Sequence, residues 1–225
     1  MLTALINLHG FAIIDDLLSR SEIDPLLEAL PDIEKNGRAG VRHLLKNPAV
    51  RALAESRQLS KISKEVLGLD AFPFKATLFA KSQTTNWLVT WHQDKTLPLR
   101  EKREAIGWGP WSIKDGTLFA HAPATELHKI LALRVHLDNS TESNGPLLVL
   151  PGSHTRGILH DGEIKDLAAT CKPVECVVKR GGVLAMSPLL VHSSSKIKGT
   201  ESRRVLHIEY AVSANLENNL ELAIV

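Results

Sequence analysis

From Phe72 onward, the chain is divided into short apolar segments of strand character, each followed by turn-forming residues. Asn144-Gly145 and Gly181-Gly182 are the strongest of these turn signals. Many short strands at this spacing predict a sandwich or barrel, and about eight of them suit a jelly roll, whose open end can hold a site. The segments are Lys75–Lys81, Asn86–Trp91, Thr117–His121, Ile130–Leu137, Leu147–Leu150, Val174–Val178, Val183–Met186 and Arg204–Val212.

The part of the chain before these strands carries mostly helical patterns. One short strand is predicted at Gly10–Ile14. A capping-box-like start at Ser21–Asp24 opens a helix of apolar residues at helical spacing, and Pro31 ends it. Two more helices are predicted, one opened by Asn47-Pro48 and one that stops at Gly68. The sequence therefore predicts a mainly β fold with flanking α-helices that pack outside a sheet.

Size and composition narrow the class of protein. A chain of 225 residues can bury one large core, so we expect a single domain over residues 1–225, with helical elements mainly at 15–68 and the jelly-roll core at about 72–212. A net charge of +2 is too small to favour nucleic acid, and no apolar run reaches membrane-spanning length. Cys171 and Cys176 have neither zinc-knuckle nor redox spacing. We expect free thiols in a cytoplasmic protein with no signal peptide, and a small molecule rather than nucleic acid or membrane as its partner.

The strongest candidate site is Trp91-His92-Gln93-Asp94, which follows an apolar segment of strand character. Because residues two apart in a strand point to the same side, His92 and Asp94 can face one pocket. An imidazole and a carboxylate on one side form two thirds of a 2-His-1-carboxylate site, which binds non-haem Fe(II) and leaves positions open for other ligands. We predict that His192 supplies the third ligand.

Other residues compete for this role, because a His-x-Asp pair is a weak signal by itself. His136-Leu137-Asp138 has the same spacing. Five predicted strands separate Asp94 from His192 but only three separate Asp138 from it, so the first pair leaves more room for a distal strand to fold back. A turn-forming run follows Asp138, and we interpret its carboxylate as closing a turn. His154 lies in a predicted loop and is a weaker candidate.

Several short motifs then follow one another in a fixed order. They are Gly10-Phe11, Trp91–Asp94, Asn144-Gly145-Pro146-Leu147, Leu150-Pro151-Gly152-Ser153-His154, His192-Ser193-Ser194 and Arg203-Arg204. In this order the chain resembles the phytanoyl-CoA dioxygenase family of iron(II)- and 2-oxoglutarate-dependent oxygenases, and the central Asn-Gly-Pro-Leu to Pro-Gly-Ser-His block is the most specific part. The resemblance implies a double-stranded β-helix, the cupin-like jelly roll.

The same resemblance implies cofactors and a reaction. The metal ligands carry over to His92, Asp94 and His192, and the arginine that anchors 2-oxoglutarate carries over to Arg203. The implied cofactors are Fe(II), 2-oxoglutarate as cosubstrate and O2. The implied reaction hydroxylates an aliphatic C–H bond of a small-molecule or acyl substrate and releases succinate and CO2. An aspartate favours hydroxylation, since related halogenases lack this carboxylate.

Arg203 also suits this role by its chemistry, because a guanidinium can bind a carboxylate through paired hydrogen bonds. We expect the strand after His192 to return beside it as a hairpin, which would bring Arg203 to the same pocket. Ser194 shares a face with His192 and is a candidate donor to the same carboxylate. Arg204 points the opposite way and is expected to face solvent. Further candidates for the pocket are Thr77, Lys81 and Arg134.

The segment Lys95–Thr125 is interpreted as a long loop at the mouth of the jelly roll, where such loops act as lids or substrate clamps. Trp108 and Trp111 lie on a Gly- and Pro-rich part of it and are candidate substrate contacts. The alternative is that the two tryptophans only hold the loop against the protein.

Two other functions are compatible with parts of this pattern. One is a cupin-like metalloenzyme that does not use 2-oxoglutarate, and Arg203 argues against it. The other is a jelly-roll binding module without catalysis, and the intact set of His92, Asp94 and His192 argues against that. Anaerobic titration with Fe(II) and 2-oxoglutarate separates the three, because only a 2-oxoglutarate-dependent enzyme should give the visible charge-transfer band of chelated iron.

Overall fold

The computed structural model describes residues 1–31 and 40–225, and this part of the chain contains thirteen β-strands and six α-helices. The strands are β1 (Phe11–Ile14), β2 (Gly40–Val41), β3 (Phe72–Lys81), β4 (Val89–His92), β5 (Thr96–Leu99), β6 (Trp111–Lys114), β7 (Thr117–His121), β8 (Ile130–His136), β9 (Leu147–Val149), β10 (Val174–Cys176), β11 (Val183–Met186), β12 (His192–Ser194) and β13 (Arg203–Ala211). The helices are α1 (Leu2–His9), α2 (Arg20–Ala29), α3 (Pro48–Ala54), α4 (Arg57–Leu67), α5 (Ala124–Leu127) and α6 (Asp161–Thr170). Each predicted strand overlaps an observed one.

Most strands belong to two antiparallel sheets. The larger sheet has the order β1-β11-β8-β13-β3-β2, and the smaller has the order β10-β9-β12-β4. Side chains from both sheets line one cavity of about 310 Å³. The mainly β jelly roll with flanking helices that the sequence predicts is therefore confirmed.

The larger sheet has one apolar and one polar face, because successive side chains point to opposite sides of a strand. On β13, Leu206, Ile208 and Tyr210 join the apolar cluster that includes residues of the N-terminal helices. On the other face of the same strand, Arg203, His207 and Glu209 line the cavity. The helices thus cover the apolar face, and the polar face is turned toward the smaller sheet.

The helix boundaries follow local capping chemistry. Asn47 caps α3 by accepting hydrogen bonds from the backbone N–H groups of Ala49 and Val50, and α4 ends at Gly68, both as predicted. The predicted Ser21–Asp24 start of α2 is wrong by two residues. The helix begins after Ser19, whose backbone N–H donates to the carboxylate of Glu22 at 2.8 Å.

The segment Lys95–Thr125 is not a long loop, and this prediction is wrong. It contains a third sheet with the order β5-β7-β6. Trp108 is buried in an apolar cluster, and Trp111 packs against the same cluster. The sequence predicted β7 (Thr117–His121) but not β5 and β6, which are four residues long and leave little periodic signal.

The predicted hairpin between His192 and Arg203 is also wrong. Strand β12 lies in the smaller sheet between β4 and β9, whereas β13 lies in the larger sheet between β3 and β8. The chain crosses from one sheet to the other between them, as strands of a jelly roll do. Arg203 therefore approaches Ser194 across the cavity, with Nη2 at 3.4 Å from Oγ.

One hydrogen bond joins helix α3 to strand β13 of the larger sheet. Tyr210 is fully buried, and its hydroxyl donates to the backbone carbonyl of Ala54 in α3 at 2.7 Å. Tyr210→Phe should lower the free energy of unfolding by about 1–2 kcal/mol, because that carbonyl loses its donor in a buried place. Urea denaturation measures this, with the exposed Ile113→Ala as a control expected to stay within about 0.5 kcal/mol. Equal stability of Tyr210→Phe and wild type would show that the bond contributes nothing.

Candidate metal centre

His92, Asp94 and His192 come together at one end of the cavity. His92 and His192 are register partners on neighbouring strands, and their ring centroids lie 4.2 Å apart. One ligand atom from each of the three residues lies within 4.8 Å of the others. Within residues 1–31 and 40–225, no other three His, Cys, Asp or Glu side chains meet in this way. The geometry is that of a facial 2-His-1-carboxylate site.

Both histidine rings are held in the orientation that a metal ligand needs. Nδ1 of His92 lies 2.8 Å from the carbonyl oxygen of Thr90, and Nδ1 of His192 lies 2.9 Å from that of Leu190. Because a carbonyl only accepts, Nδ1 carries the proton in both rings, and the Nε2 lone pairs remain free. Each Nε2 lies 3.7 Å from a carboxylate oxygen of Asp94, longer than a hydrogen bond, so these residues fit a divalent cation between them.

Gln93 holds the segment that carries His92 and Asp94 in place through hydrogen bonds on the side away from the cavity. Its amide nitrogen donates to the carbonyls of Gly157 and Leu189 at 2.8 and 2.7 Å, and its amide oxygen accepts from the N–H of Leu159 at 2.8 Å. The N–H of Asp94 also donates to the carbonyl of Pro188 at 2.9 Å. Gln93 points away from the cavity, and its hydrogen bonds fix the direction of the residues on either side of it.

The charge states of the ligands also suit a cation. Burial alone would raise the pKa of the Asp94 carboxyl, but the rings of His192 and His207, which are charged in the acid range where this carboxyl titrates, hold it well below its usual value together with other neighbours. Burial lowers the pKa of His192 to about 4, which Asp94 opposes only in part. At neutral pH the site therefore presents a carboxylate and a neutral imidazole, the protonation states that bind metal.

A second cluster lies at the other end of the cavity, around Arg203. Lys81 and Arg203 are register partners on β3 and β13, and both are buried. The hydroxyl of Ser194 accepts from Lys81 Nζ at 2.7 Å and donates to the carbonyl of Gly145 at 2.9 Å. Burial, followed by the charges of Arg203 and Arg134, lowers the pKa of Lys81 to about 8, and burial lowers the pKa of Arg203 to about 9.

Gly145 makes this end of the cavity possible. Its φ is +70°, and a Cβ placed there would lie 2.4 Å from the backbone oxygen of Ser195. The Asn-Gly turn therefore needs glycine both for its conformation and for the close approach of the chain that carries Ser194.

A polar network on β3, β8 and β13 also lines the cavity, and the sequence did not single it out. Lys75 Nζ and His207 Nε2 both contact Oε1 of Glu209, at 2.7 and 3.0 Å. His207 Nδ1 in turn lies 3.1 Å from Nη1 of Arg134. The alternation of polar residues along β13, at positions 203, 207 and 209, is a signal that could have revealed it. Thr77, Lys81 and Arg134, which the sequence did propose, all line the cavity.

The competing candidates have other partners. Asp138 does not close a turn. It accepts from the backbone N–H, Nε and Nη2 of Arg204 at 2.9, 2.8 and 2.9 Å. Arg204 is partly exposed on the face opposite the cavity, as expected, and this pair joins the end of β8 to β13. His154 is buried beside Gly10, and its Nε2 lies 3.2 Å from the carbonyl of Asn7.

Trp108 and Trp111 lie outside the described wall of the cavity. Both belong to the apolar cluster under the third sheet, so the structure does not bring them to the metal ligands. A role for them in binding substrate stays an untested prediction. The aromatic side chains that the structure does place on the wall are Phe79 and Trp87.

A jelly roll with two histidines and one carboxylate on one face is typical of non-haem metal-dependent oxygenases. The family model for phytanoyl-CoA dioxygenase matches residues 6–205 of the chain. The chain therefore belongs to the phytanoyl-CoA dioxygenase family, which confirms the resemblance found in the sequence and makes the protein an oxidoreductase of the 2-oxoglutarate-dependent dioxygenase class.

Individual relatives agree with this assignment. The chain is 25% identical to L-proline trans-4-hydroxylase of Streptomyces griseoviridis, over 89% of this chain and 82% of that protein. EctD from S. alaskensis, solved with 2-oxoglutarate and 5-hydroxyectoine, has a TM-score of 0.71 at 20% identity and covers 93% of this chain and 74% of its own. HygX from Streptomyces hygroscopicus, solved with nickel and 2-oxoglutarate, has a TM-score of 0.66 at 15% identity and covers 93% and 85%. At these identities the two structures show the shared fold.

The choice between the two His-x-Asp pairs can be tested directly. Asp94→Ala should abolish Fe(II) binding or weaken it severely, because it removes the only carboxylate of the three-residue group. Asp138→Ala should bind iron like wild type but lose about 1–2 kcal/mol of stability, because Arg204 loses its paired partner. Anaerobic equilibrium dialysis and urea denaturation measure the two effects. The reverse result, with iron binding lost only in Asp138→Ala, would show that the wrong pair was chosen.

Proposed function

We propose that this protein is an Fe(II)- and 2-oxoglutarate-dependent hydroxylase that acts on an aliphatic C–H bond of a small-molecule or acyl substrate and releases succinate and CO2. The observation that supports this most strongly is the presence, in one cavity, of the His92–Asp94–His192 cluster and of the buried Arg203 at the opposite end. We further propose that residues 1–225 form one domain of this kind.

In this proposal the metal is held by Nε2 of His92, Nε2 of His192 and the carboxylate of Asp94. These atoms occupy one face of the ion and leave the other face to the cosubstrate and oxygen. Together, iron and 2-oxoglutarate supply the oxidising chemistry, and the protein orients them. Asp94 keeps a carboxylate on the iron at the position where related halogenases have none, which favours hydroxylation.

Arg203 would hold the distal carboxylate of 2-oxoglutarate. It is buried, and in the described residues its hydrogen bonds are long, 3.4 Å both to Ser194 Oγ and to the carbonyl of Asn144. No carboxylate of the described chain forms an ion pair with it. A buried guanidinium without an acidic partner is costly, and a ligand carboxylate would remove that cost. Lys81 lies beside it as a further donor. Ser194 would donate to the same carboxylate only after its hydroxyl gives up the hydrogen bond to the carbonyl of Gly145.

We also propose that the protein is cytoplasmic. Cys171 and Cys176 are both free thiols, which suits a reducing cytoplasm. None of the helices in the described residues is both long and apolar enough to cross a membrane.

The function is tested by titrating metal-free protein with Fe(II) and then 2-oxoglutarate under anaerobic conditions. A weak visible charge-transfer band should appear only when both are present, and oxygen should then produce succinate. A protein that binds Fe(II) without developing the band would be a metalloenzyme of another kind. A protein that binds neither would be a jelly-roll binding module.

Cosubstrate binding should depend on Arg203 and little on Arg204. Arg203→Ala should weaken 2-oxoglutarate binding by roughly ten- to a hundredfold, because a charge-assisted hydrogen bond contributes about 1.5–3 kcal/mol. Arg203→Lys should recover only part of this, since an ammonium cannot make the planar paired contact. The measurement is the 2-oxoglutarate concentration at which the visible band is half developed.

Arg204→Ala is the matched control, because it removes the neighbouring guanidinium from the opposite face of the same strand. It should affect stability through Asp138 and leave the dissociation constant within about threefold. If Arg204→Ala weakens 2-oxoglutarate binding and Arg203→Ala does not, the proposed anchor is wrong. If neither does, the cosubstrate itself is wrong.

A further inference from the structure

The cavity carries more positive charge than the proposed metal and cosubstrate can neutralise. Six cationic side chains line it, against two carboxylates, those of Asp94 and Glu209, among the described lining residues. Fe(II) and the 2-oxoglutarate dianion cancel each other, so binding both leaves the excess of four unchanged. Asp115, which lies just outside and pairs with Arg42 at 2.9 Å, lowers it to three. The six cations are Arg42, Lys75, Lys81, Lys114, Arg134 and Arg203.

Five of these six cations are divided between the two ends of the cavity, and Arg134 lies beside His207. Lys81 and Arg203 are register partners at the buried end, where the cosubstrate carboxylate is proposed to bind. Lys75 lies on the same face of β3 as Lys81 but six residues earlier, about 20 Å along the strand. The cations at this second end, beside the metal ligands, are therefore not needed for 2-oxoglutarate.

We define the basic rim as Arg42, Lys75 and Lys114. The ammonium groups of Lys75 and Lys114 lie over the same ring, that of Phe119, at 5.9 and 5.1 Å from its centroid. Arg42 comes from the end of β2, and its guanidinium pairs with Asp115, the residue after Lys114. Three elements distant in sequence thus bring three cations to one side of the cavity.

The members of the rim differ in how well they are neutralised. Lys75 is paired with the carboxylate of Glu209 at 2.7 Å, and Arg42 with that of Asp115. Lys114 has no carboxylate within ion-pair distance in the part of the chain that the structure describes. Burial lowers the pKa of its ammonium, and the charges of Lys75 and Arg42 lower it further. This crowding of like charges costs free energy until an anion joins them.

We infer that the substrate of the proposed reaction carries an anionic group, a carboxylate or a phosphate, and that the basic rim holds it with Lys114 as the central contact. The inference rests on the proposed function, because it places this anion beside the metal ligands while 2-oxoglutarate occupies the Arg203 end. The anchor leaves the remainder of the substrate next to His92 and Asp94, where the reacting C–H bond has to lie.

The size and lining of the cavity limit what else the substrate contains. A volume of about 310 Å³ is at the lower end for ligand sites, and the cosubstrate takes part of it. Phe79, Trp87 and Val89 supply apolar wall. The ligand that fits is a small acid with an apolar body.

The test measures binding of matched acids and neutral analogues to the protein loaded with Ni(II), a redox-inert stand-in for iron, and 2-oxoglutarate. The probes are hexanoate and benzoate with their primary amides, and glycerol 3-phosphate with glycerol. Isothermal titration calorimetry measures the binding of each. At least one acid should bind tenfold or more tightly than its neutral partner. The phosphate pair tells whether the rim prefers a phosphate or a carboxylate.

Variants of Lys114 test whether the preference for acids over their neutral analogues depends on the basic rim. Lys114→Gln should reduce the acid-to-neutral ratio to threefold or less, and Lys114→Arg should restore most of it. Lys102→Gln is the matched control, because Lys102 also places its ammonium over an aromatic ring, that of Trp111 at 6.0 Å, but outside the cavity wall. It should keep the wild-type ratio.

Three results would overturn the inference. These are neutral analogues that bind as tightly as their acids, no acid that binds below 10 mM (roughly 2.7 kcal/mol), and a preference that survives Lys114→Gln. Failure of the proposed function would be seen separately, as a missing Fe(II)–2-oxoglutarate band. In that case the acids and their neutral partners are titrated into the metal-free protein. The ratio of their affinities, and its change in the Lys114 variants, then tests whether the basic rim binds anions.

Discussion

The candidate site depends on the antiparallel pairing of His92 with His192. The two residues are a hundred positions apart in the chain, so neither strand can form its part of the site alone. Because side chains alternate in direction, a slip of one residue between β4 and β12 would turn one histidine away from the cavity. Gln93, which holds the β4 end from behind, and the second pairing of β12 with β9 both oppose such a slip. The rest of the cavity is arranged around this register.

The sequence was sufficient for features that depend on local chemistry or on strand alternation. Turn residues and apolar runs located most strands of the two large sheets, and Asn47 and Gly68 gave helix ends. The spacing of His92 and Asp94 already placed them on one face. The resemblance to the phytanoyl-CoA dioxygenase family then supported His192 as the third ligand and supplied the role proposed for Arg203, which spacing alone could not assign.

The sequence did not predict which strands distant in the chain pair with each other, or in which sheet they lie. The prediction of a hairpin after His192 was wrong because no local sequence signal determines whether the chain returns in the same sheet or crosses to the other. In the polar network, the alternation along β13 could have placed His207 and Glu209 on one face, but the contact of Lys75 with Glu209 depends on the register of β13 with β3. In Lys95–Thr125, the sequence revealed only Thr117–His121, because the other two strands have four residues each and leave little periodic signal, and the sheet they form with it was therefore interpreted as a loop.

The separation of His92 and His192 along the chain has a consequence for how the protein unfolds. A metal held by both would act as a removable cross-link that closes a loop of about a hundred residues, and closing so long a loop takes much conformational freedom from the unfolded chain. Since the ligand set exists only in the folded chain, binding would shift the unfolding equilibrium by mass action. The melting temperature of this jelly roll would then report the free metal concentration around it.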